Sequence, residues 1–154
     1  MNEHNPSPAD TRVDMTELVL PNDTNLLGNL LGGRLLHWID IAGALSATRH
    51  ARKTVATVSI ESVDFRHPIR QGEMVMLSAR VIWTGRTSIK VAVRVTAENM
   101  YTGAVIATNN AYLTYVAMDK NGVPSPVPGV RPATEEDIKA YNEAQAAYEQ
   151  AKGK

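Results

Sequence analysis

A glycine-punctuated loop that runs directly into an apolar segment is the feature that most constrains this chain. The loop from Asn25 ends in a Gly-Gly pair at Gly33, and the residues that follow to His50 are apolar around most of a helical circumference. An α-helix of this composition is buried, so the rest of the fold has to surround it. Small side chains in its second half, such as Ala42 and Gly43, favour very close packing, for example by a sheet that curls around the helix.

One carboxylate, Asp40, lies inside this apolar helix. An ionisable group among apolar neighbours is costly unless it has a partner or a chemical task. At the helix start, Gly32 and Gly33 allow backbone N–H groups to approach a ligand at the positive end of the helix dipole. Acyl chemistry requires at least a carboxylate and a set of hydrogen-bond donors, and a helix start of this kind supplies the donors.

The remainder of the chain is dominated by strand patterns. A short strand is predicted before the loop, and four long strands follow the helix, each ended by a turn signal. The predicted strands cover residues 16–20, 55–65, 74–83, 89–96 and 104–118. Consecutive strands joined by tight turns predict an antiparallel meander, so the fold class is α+β, with one curled sheet around one buried helix. The long edge strand of such a sheet favours dimerisation by edge pairing.

The two ends of the chain differ from this central part in composition. Residues 1–14 are polar and predict a flexible arm, which leaves residues 15–123 as the folded domain. Residues 124–154 contain a proline-rich linker and then a polar helix, which begins after a Thr134 N-cap. We expect this helix to be peripheral.

Composition excludes several classes of function. The chain of 154 residues has no cysteine and equal numbers of acidic and basic residues, 16 of each. A disulfide scaffold, a thiol nucleophile and a cysteine-ligated metal are therefore excluded, and no basic field favours nucleic acid as a partner. The four scattered histidines predict no metal site, and no apolar run is long enough for a membrane span. We expect a cytoplasmic protein.

Residues 16–150 resemble the hotdog-fold acyl-CoA thioesterases. The resemblance rests on motifs that occur in the family's order and spacing: Asp23-Thr24-Asn25 with Gly28 and Gly32-Gly33, Trp38 to Gly43, Arg49-His50-Ala51, Val63-Asp64-Phe65, Gly85 to Ile89, and Tyr112 to Val116. It implies a hotdog fold that hydrolyses an acyl-CoA to a free acid and CoA without a cofactor. It also implies a dimer with active sites shared between subunits, and often a trimer of dimers.

The resemblance also assigns residues to the chemistry. Asp40 corresponds to the family's catalytic carboxylate, as either a general base on water or a nucleophile on the thioester. Asn25 corresponds to the loop asparagine that positions water or the thioester. The backbone N–H of Gly33, together with that of Gly32, corresponds to the donor that polarises the thioester carbonyl.

Two clusters of polar and basic residues are candidates for binding the CoA phosphates. Arg86, Thr87, Ser88 and Lys90 lie on a turn and the strand that leaves it, where a solvated hairpin is an equally good interpretation. The second cluster, at the helix end, consists of Arg49, Arg52 and Lys53.

Two alternatives remain open from the sequence. The same fold also hosts non-catalytic acyl-CoA binding proteins, because fold alone does not fix function. It hosts hydratases as well, and a hydratase would pair a helix histidine with a carboxylate, which makes His37 the residue to examine. A packed histidine is the simpler interpretation of His37, and His50 at the helix end suits the helix dipole.

Overall fold

A computed structural model describes residues 5–61 and 67–153 of the chain. Five strands and two α-helices make up this part, together with short 3-10 helices at Pro8–Thr11 and Pro21–Asp23. The elements in chain order are β1 (Val13–Leu18), α1 (Gly32–Ala51), β2 (Thr54–Glu61), β3 (Met74–Thr84), β4 (Ser88–Glu98), β5 (Val105–Met118) and α2 (Glu135–Lys152). The end of the predicted strand 55–65, with the motif Val63-Asp64-Phe65, lies outside the described residues.

The five strands form one antiparallel sheet in the order β1-β3-β4-β5-β2. The predicted meander is confirmed for β3, β4 and β5 but is wrong for β2, which pairs with β5 at the far edge instead of with β3. β2 and β3, which are consecutive in sequence, are therefore separated in the sheet by β5 and β4. This order makes β1 and β2 the two edges, and β2 exposes Val58 and Ile60 there.

Helix α1 lies across the inner face of the sheet. Alternate residues of β3, β4 and β5 point towards it, because successive side chains of a strand face opposite sides. The fully buried side chains of this core include Leu35, Ile39, Val75, Leu77, Val81, Ile89, Val91, Val93, Val95, Leu113 and Tyr115. The predicted buried helix is thus confirmed on its sheet-facing side.

One face of α1 is not covered within the protomer, which differs from the prediction of a helix buried on nearly all sides. Gly33, His37, Ile41 and Leu45 recur every four residues and form an exposed stripe along the helix. Ile41 and Leu45 are 36% and 49% exposed. An apolar stripe of this kind on a helix needs a covering surface, which one protomer does not supply among the described residues.

The flexible arm predicted for residues 1–14 is wrong for residues 5–14. Ser7 and Thr11 are buried, and β1 begins at Val13. The Thr11 hydroxyl accepts a hydrogen bond from the Val81 N–H at 3.1 Å, and the Thr11 carbonyl accepts one from the Ser46 hydroxyl at 2.8 Å. These bonds tie the segment to both β3 and α1, and the polar composition hid them.

The C-terminal segment contributes to the core instead of standing apart from it. Val130 of the proline-rich linker is 2% exposed within the main core. Helix α2 covers Ile82 and Trp83 on the outer face of the sheet, and the Trp83 indole N–H donates to Gln145 at 2.7 Å. The Thr134 N-cap of α2 is confirmed, since its hydroxyl accepts from the Asp137 N–H. Neither α-helix of the described part is long and apolar enough to cross a membrane.

Ending the chain at Ala133 is expected to destabilise the domain. The truncation exposes Ile82 and Trp83, and a buried side chain of either type contributes about 1.5–3 kcal/mol. We therefore expect the free energy of unfolding, measured by urea denaturation, to fall by about 3 kcal/mol or more. A chain that ends at Ala151 keeps every contact with Trp83 and is the control, and equal stability of the two truncated chains would contradict the covering role of α2.

Candidate active site

Asp40 is held by two hydroxyl groups from the sheet. Thr57 Oγ1 donates a hydrogen bond to Asp40 Oδ1 at 2.8 Å, and the Tyr115 hydroxyl donates to the same oxygen at 3.1 Å. The Tyr115 hydroxyl also lies 2.9 Å from the backbone carbonyl oxygen of Asp40. The carboxylate therefore has a partner, as its apolar surroundings require.

The register of the sheet brings Thr57 and Tyr115 together. The two residues are paired across β2 and β5, so their side chains share the face that looks towards α1. A register irregularity follows Thr57 in β2, between Thr57 and Ser59. Bulges of this kind re-aim side chains and are common beside active sites.

The second carboxylate oxygen of Asp40, Oδ2, has a different environment. Both hydroxyl donors converge on Oδ1, and no group in residues 5–61 or 67–153 donates to Oδ2. Asp40 is only half-buried, and within the described residues Oδ2 has no donor that a ligand would have to displace. The arrangement leaves one oxygen fixed by the protein and one oxygen available to accept a proton or to attack a carbonyl carbon.

The loop before α1 is built around two side chains. Asp23 is buried, accepts from the Leu20 N–H at 2.9 Å and pairs with Arg34 at 3.2 Å, which ties the loop to the first turn of the helix. Asn25 Oδ1 accepts from the backbone N–H groups of Leu27 at 2.9 Å and Asn29 at 3.1 Å. Asn25 is thus the turn residue that its type predicts, and its side-chain Nδ2 points to no acceptor within the described residues.

The start of α1 presents N–H donors that have no partner among the described residues. The Gly32 and Gly33 N–H groups make no backbone hydrogen bond within the described chain, as is usual in the first turn of a helix. Gly33 has ordinary helical geometry and open space where a side chain would begin. A cavity of about 240 Å³ opens at this end of the helix, lined by Asn25, Asn29, Leu30, Gly32, Leu35, His67, Pro68 and Ile69. The structure therefore brings Asn25 and the helix start together.

The structure separates Asp40 from this helix start within one protomer. The seven residues from Gly33 to Asp40 correspond to about 10 Å along the helix axis at the α-helical rise. Seven residues also correspond to almost two full turns, so Gly33 and Asp40 lie on nearly the same side of α1. One thioester carbonyl cannot contact both groups of a single protomer.

The predicted phosphate-binding residues lie on the turn before β4 and on the outer face at the start of that strand. Lys90 lies on the outer face, opposite α1, and pairs with Glu61 at 3.7 Å. Arg86 is exposed on the turn, and its backbone carbonyl accepts from the Val127 N–H. At the end of α1, the Lys53 amino group donates to Ser125 and to the carbonyl of Pro126, so this lysine holds the proline-rich linker.

His37 and His50 differ in environment. His37 lies on the exposed stripe of α1 and forms no hydrogen bond with Asp40 in the described structure. His50 is 3% exposed, and its Nε2 lies 2.7 Å from the carbonyl oxygen of Pro128. Because a carbonyl only accepts, Nε2 carries the proton, and the buried Nδ1 has no partner within residues 5–61 and 67–153. His50 is therefore a structural link between α1 and the linker.

Protonation of His50 is expected to destabilise the fold. Burial lowers the pKa of His50 below the ordinary value of 6.5, although the bond to Pro128 opposes this shift. Below that value the unfolded chain binds a proton that the folded chain does not, so the stabilisation is present at neutral pH and is lost as the pH falls through 6.5 towards the lower folded pKa. Urea unfolding at about pH 7.5 and pH 5.5 is expected to give a pH dependence that His50→Gln reduces, by up to about 1.4 kcal/mol. An unchanged pH dependence in this variant would contradict the assignment.

Sequence reasoning missed Thr57 and the role of Tyr115. Tyr115 lies in the stretch Tyr112 to Val116 that carried the family resemblance, and Thr57 lies in a strand. Neither was assigned to the site, because their approach to Asp40 depends on the pairing of β2 with β5. The small residue Gly43, three positions after Asp40, was the one local signal that a group packs closely against this side of the helix.

The comparisons with known proteins agree with this geometry. Residues 27–104 match the family model of the thioesterase superfamily. Over 135 residues the chain is 43% identical to the uncharacterized acyl-CoA thioester hydrolase YkhA of Bacillus subtilis. The matched region covers 88% of this chain and 78% of YkhA. The chain belongs to the hotdog-fold acyl-CoA thioesterase family. The predicted fold class and the predicted enzyme class are thereby confirmed.

Solved structures of this family superpose on nearly the whole chain. A structure of an apo-hexameric acyl-CoA thioesterase has a TM-score of 0.90 at 44% identity and covers 96% of this chain and 94% of its own. The acyl-CoA hydrolase of Staphylococcus aureus, solved in complex with butyryl coenzyme A, coenzyme A and coenzyme A disulfide, has a TM-score of 0.86 at 33% identity. That match covers 96% of this chain and 90% of the Staphylococcus aureus chain.

Variants of the Staphylococcus aureus hydrolase were also solved, with an asparagine, an aspartate or a threonine replaced by alanine. In that protein the asparagine precedes the aspartate by 15 positions and the threonine follows it by 17 positions. The present chain has the same two separations: Asn25 precedes Asp40 by 15 positions, and Thr57 follows Asp40 by 17 positions.

Proposed function

We propose that this protein hydrolyses acyl-CoA thioesters to a free carboxylic acid and CoA, with Asp40 as the catalytic carboxylate. The observation that carries the proposal is the difference in hydrogen bonding between the two carboxylate oxygens of Asp40. Oδ1 is fixed by Thr57 and Tyr115, whereas Oδ2 has no donor among the described residues. The matching separations of Asn25, Asp40 and Thr57 in the Staphylococcus aureus hydrolase support the same assignment.

The helix start of a second protomer supplies the other half of the proposed site. Gly33 and Asp40 lie on the same side of α1, about 10 Å apart along its axis. If two α1 helices pack antiparallel about a two-fold axis near Leu36 and His37, Gly33 of each helix faces Asp40 of the other. A thioester bound between them contacts a carboxylate from one subunit and a helix-start N–H, with Asn25 beside it, from the other.

The exposed apolar residues support such a dimer. The stripe on α1 contains Ile41 and Leu45, and the edge strand β2 exposes Val58 and Ile60. A two-fold dimer covers the first surface by helix packing and the second by edge pairing. We further propose that the dimers assemble into a hexamer, as supported by the hexameric relative.

In the proposed reaction, Asp40 Oδ2 takes a proton from a water molecule whose oxygen attacks the thioester carbonyl carbon. The oxygen of the tetrahedral intermediate accepts hydrogen bonds from the Gly33 N–H, assisted by Gly32, and the side-chain amide of Asn25 orients the thioester or the water. Collapse of the intermediate breaks the carbon–sulfur bond, and the proton held on Asp40 passes to the leaving thiolate, so the free acid and CoA are released. In the alternative role Oδ2 attacks the carbonyl carbon directly, and the carbon–sulfur bond breaks to release the CoA thiolate. The mixed anhydride that forms is then hydrolysed by water, and hydroxylamine would trap it.

We propose that the reaction needs no metal and no cofactor besides the CoA of the substrate. Sulfur is a good leaving group, and backbone donors meet the developing charge. We retain Arg86, Thr87, Ser88 and Lys90 as proposed contacts for the CoA phosphates. Lys90 lies on the outer face and pairs with Glu61, so it can contact only a phosphate that reaches that face. We also propose a cytoplasmic location, since a chain without cysteine suits a reducing compartment.

The two alternative functions have no observation in their favour. A hydratase would require a pairing between His37 and Asp40, and the described structure places hydroxyl groups on Asp40 instead. A non-catalytic acyl-CoA binding protein would have no need of an oriented carboxylate with a free oxygen.

The decisive experiment measures free thiol released from a panel of short to long acyl-CoAs, with and without a metal chelator. We expect CoA release that the chelator does not reduce, and the panel gives the chain-length preference. Binding of acyl-CoA without release would contradict the proposed hydrolysis, and a loss of release with the chelator would contradict the metal-free reaction.

A further inference from the structure

We propose that Tyr115 is a positioning residue that locks the Asp40 carboxylate so that Oδ2 faces the substrate. This inference rests on the proposed catalytic role of Asp40. Its basis is the geometry around one buried hydroxyl group, which contacts both the main chain and the side chain of Asp40.

The Tyr115 hydroxyl shares its one proton between two acceptor oxygens of the same residue. It lies 2.9 Å from the backbone carbonyl oxygen of Asp40 and 3.1 Å from Oδ1. A group that contacts both oxygens fixes the side chain relative to the helix backbone, because rotation about either side-chain torsion moves Oδ1 away from the hydroxyl. Thr57 contacts Oδ1 alone and therefore does not fix the carboxylate relative to its own backbone.

The two hydroxyl donors also differ in rigidity. Tyr115 is 0% exposed, and its ring is packed in the core, whereas Thr57 lies exposed on the edge strand β2. A buried aromatic side chain keeps a single rotamer, so its hydroxyl is a fixed point in the site. Tyr115 therefore supplies the orientation, and Thr57 supplies a second donor to the same oxygen.

Gly43 makes this approach possible. A side-chain carbon at position 43 would overlap the Tyr115 hydroxyl and crowd its ring. Glycine weakens the interior of a helix relative to alanine, so its presence in α1 calls for a local reason. The space taken by the Tyr115 hydroxyl is such a reason, and it makes Tyr115, Gly43 and Asp40 one structural unit.

The charge of the site keeps Tyr115 in its donor form. Burial raises the pKa of Tyr115, and the neighbouring Asp40 carboxylate raises it further. The phenol is therefore protonated at neutral pH and remains a hydrogen-bond donor to Asp40.

Tyr115→Phe tests the proposal because it removes only the hydroxyl. We expect kcat for acyl-CoA hydrolysis to fall by roughly tenfold with little change in KM, because the carboxylate is no longer held in one orientation. Tyr112→Phe, on the same strand but on the outer face, is the matched control and should retain the wild-type kcat and KM.

The split between kcat and KM separates positioning from packing. A purely structural Tyr115 would lower Tm or the folded fraction, and kcat per folded enzyme would stay at the wild-type value. A wild-type kcat for folded Tyr115→Phe would overturn the inference. If Asp40→Asn keeps a near-normal kcat, the proposed function fails instead, so the two failures are distinguishable.

Gly43→Ala provides an independent variant for a double-mutant cycle. Its side chain displaces the Tyr115 hydroxyl, so we expect a loss of kcat similar to that of Tyr115→Phe. In the Tyr115→Phe background the same substitution should cost much less, because the displaced group is already absent. Additive losses in kcat would overturn the proposed unit of Tyr115, Gly43 and Asp40.

Discussion

Asp40→Asn is expected to lower kcat for acyl-CoA hydrolysis by about 10²–10⁴-fold, the range typical for loss of a general acid or base. The structure indicates that this substitution replaces one carboxylate oxygen and leaves the hydrogen bonds of the other in place. The asparagine oxygen can take the place of Oδ1 and keep both hydrogen bonds, from Thr57 and Tyr115. The amide nitrogen then replaces Oδ2, which neither abstracts a proton nor attacks a carbonyl. We expect stability to change by less than about 1 kcal/mol, since no cavity or orphaned donor is created.

Steady-state kinetics and urea unfolding of the same variant check both halves of this prediction. Asp40→Ala is the comparison, because it leaves the Tyr115 hydroxyl without its side-chain acceptor and should lower stability as well as activity. A near-normal kcat for Asp40→Asn would remove Asp40 from the chemistry. A large loss of stability in this variant would show that the charge of Asp40, and not its shape, supports the fold.

Local patterns were sufficient to predict most elements from the sequence. Helix α1 and strands β3, β4 and β5 have clear apolar periodicity, and their predicted ends lie close to the observed ones. The buried N-terminal segment was missed because its burial depends on single hydrogen bonds of Thr11 to Val81 and Ser46, which are far away in the chain. Polar composition alone does not reveal such long-range partners.

The order of the strands was beyond local reasoning. A strand and the next strand in sequence pair more often than not, which favoured β2 beside β3. The observed pairing of β2 with β5 places β5 and β4 between β2 and β3, and no short turn signal encodes that separation.

The candidate site likewise contains residues that local sequence patterns predict and residues that only distant strand pairing brings in. Asp40, Asn25 and Gly33 were predicted because the loop and helix carry their own signals and a family resemblance. Thr57 and Tyr115 depend on the register between two strands that are distant in sequence, so only the folded chain brings them to Asp40.

Mixed dimers of two inactive variants test whether each active site is shared. Asn25→Ala and Asp40→Ala should each be nearly inactive alone, because every site then contains one lesion. In a mixed dimer both lesions fall in the same site if Asn25 and Asp40 come from different subunits, and the other site is intact. Random exchange makes half of the dimers mixed, so co-refolding equal amounts should restore roughly a quarter of wild-type activity.

Gly33→Pro provides the matched control for this complementation. Proline has no N–H, so the variant lacks the proposed oxyanion donor, while the first turn of a helix tolerates proline. Because Gly33 and Asn25 lie together at the helix start, each mixed dimer of Gly33→Pro with Asn25→Ala carries one lesion in each site and should remain inactive. Gly33→Pro with Asp40→Ala should recover the same quarter of activity as the first pair. The measurement is the rate of CoA release, with mass spectrometry to verify that mixed dimers have formed. Mixed dimers without recovered activity in either complementing pair would place Asn25, Gly33 and Asp40 of one site in a single subunit, against the separation of about 10 Å along α1.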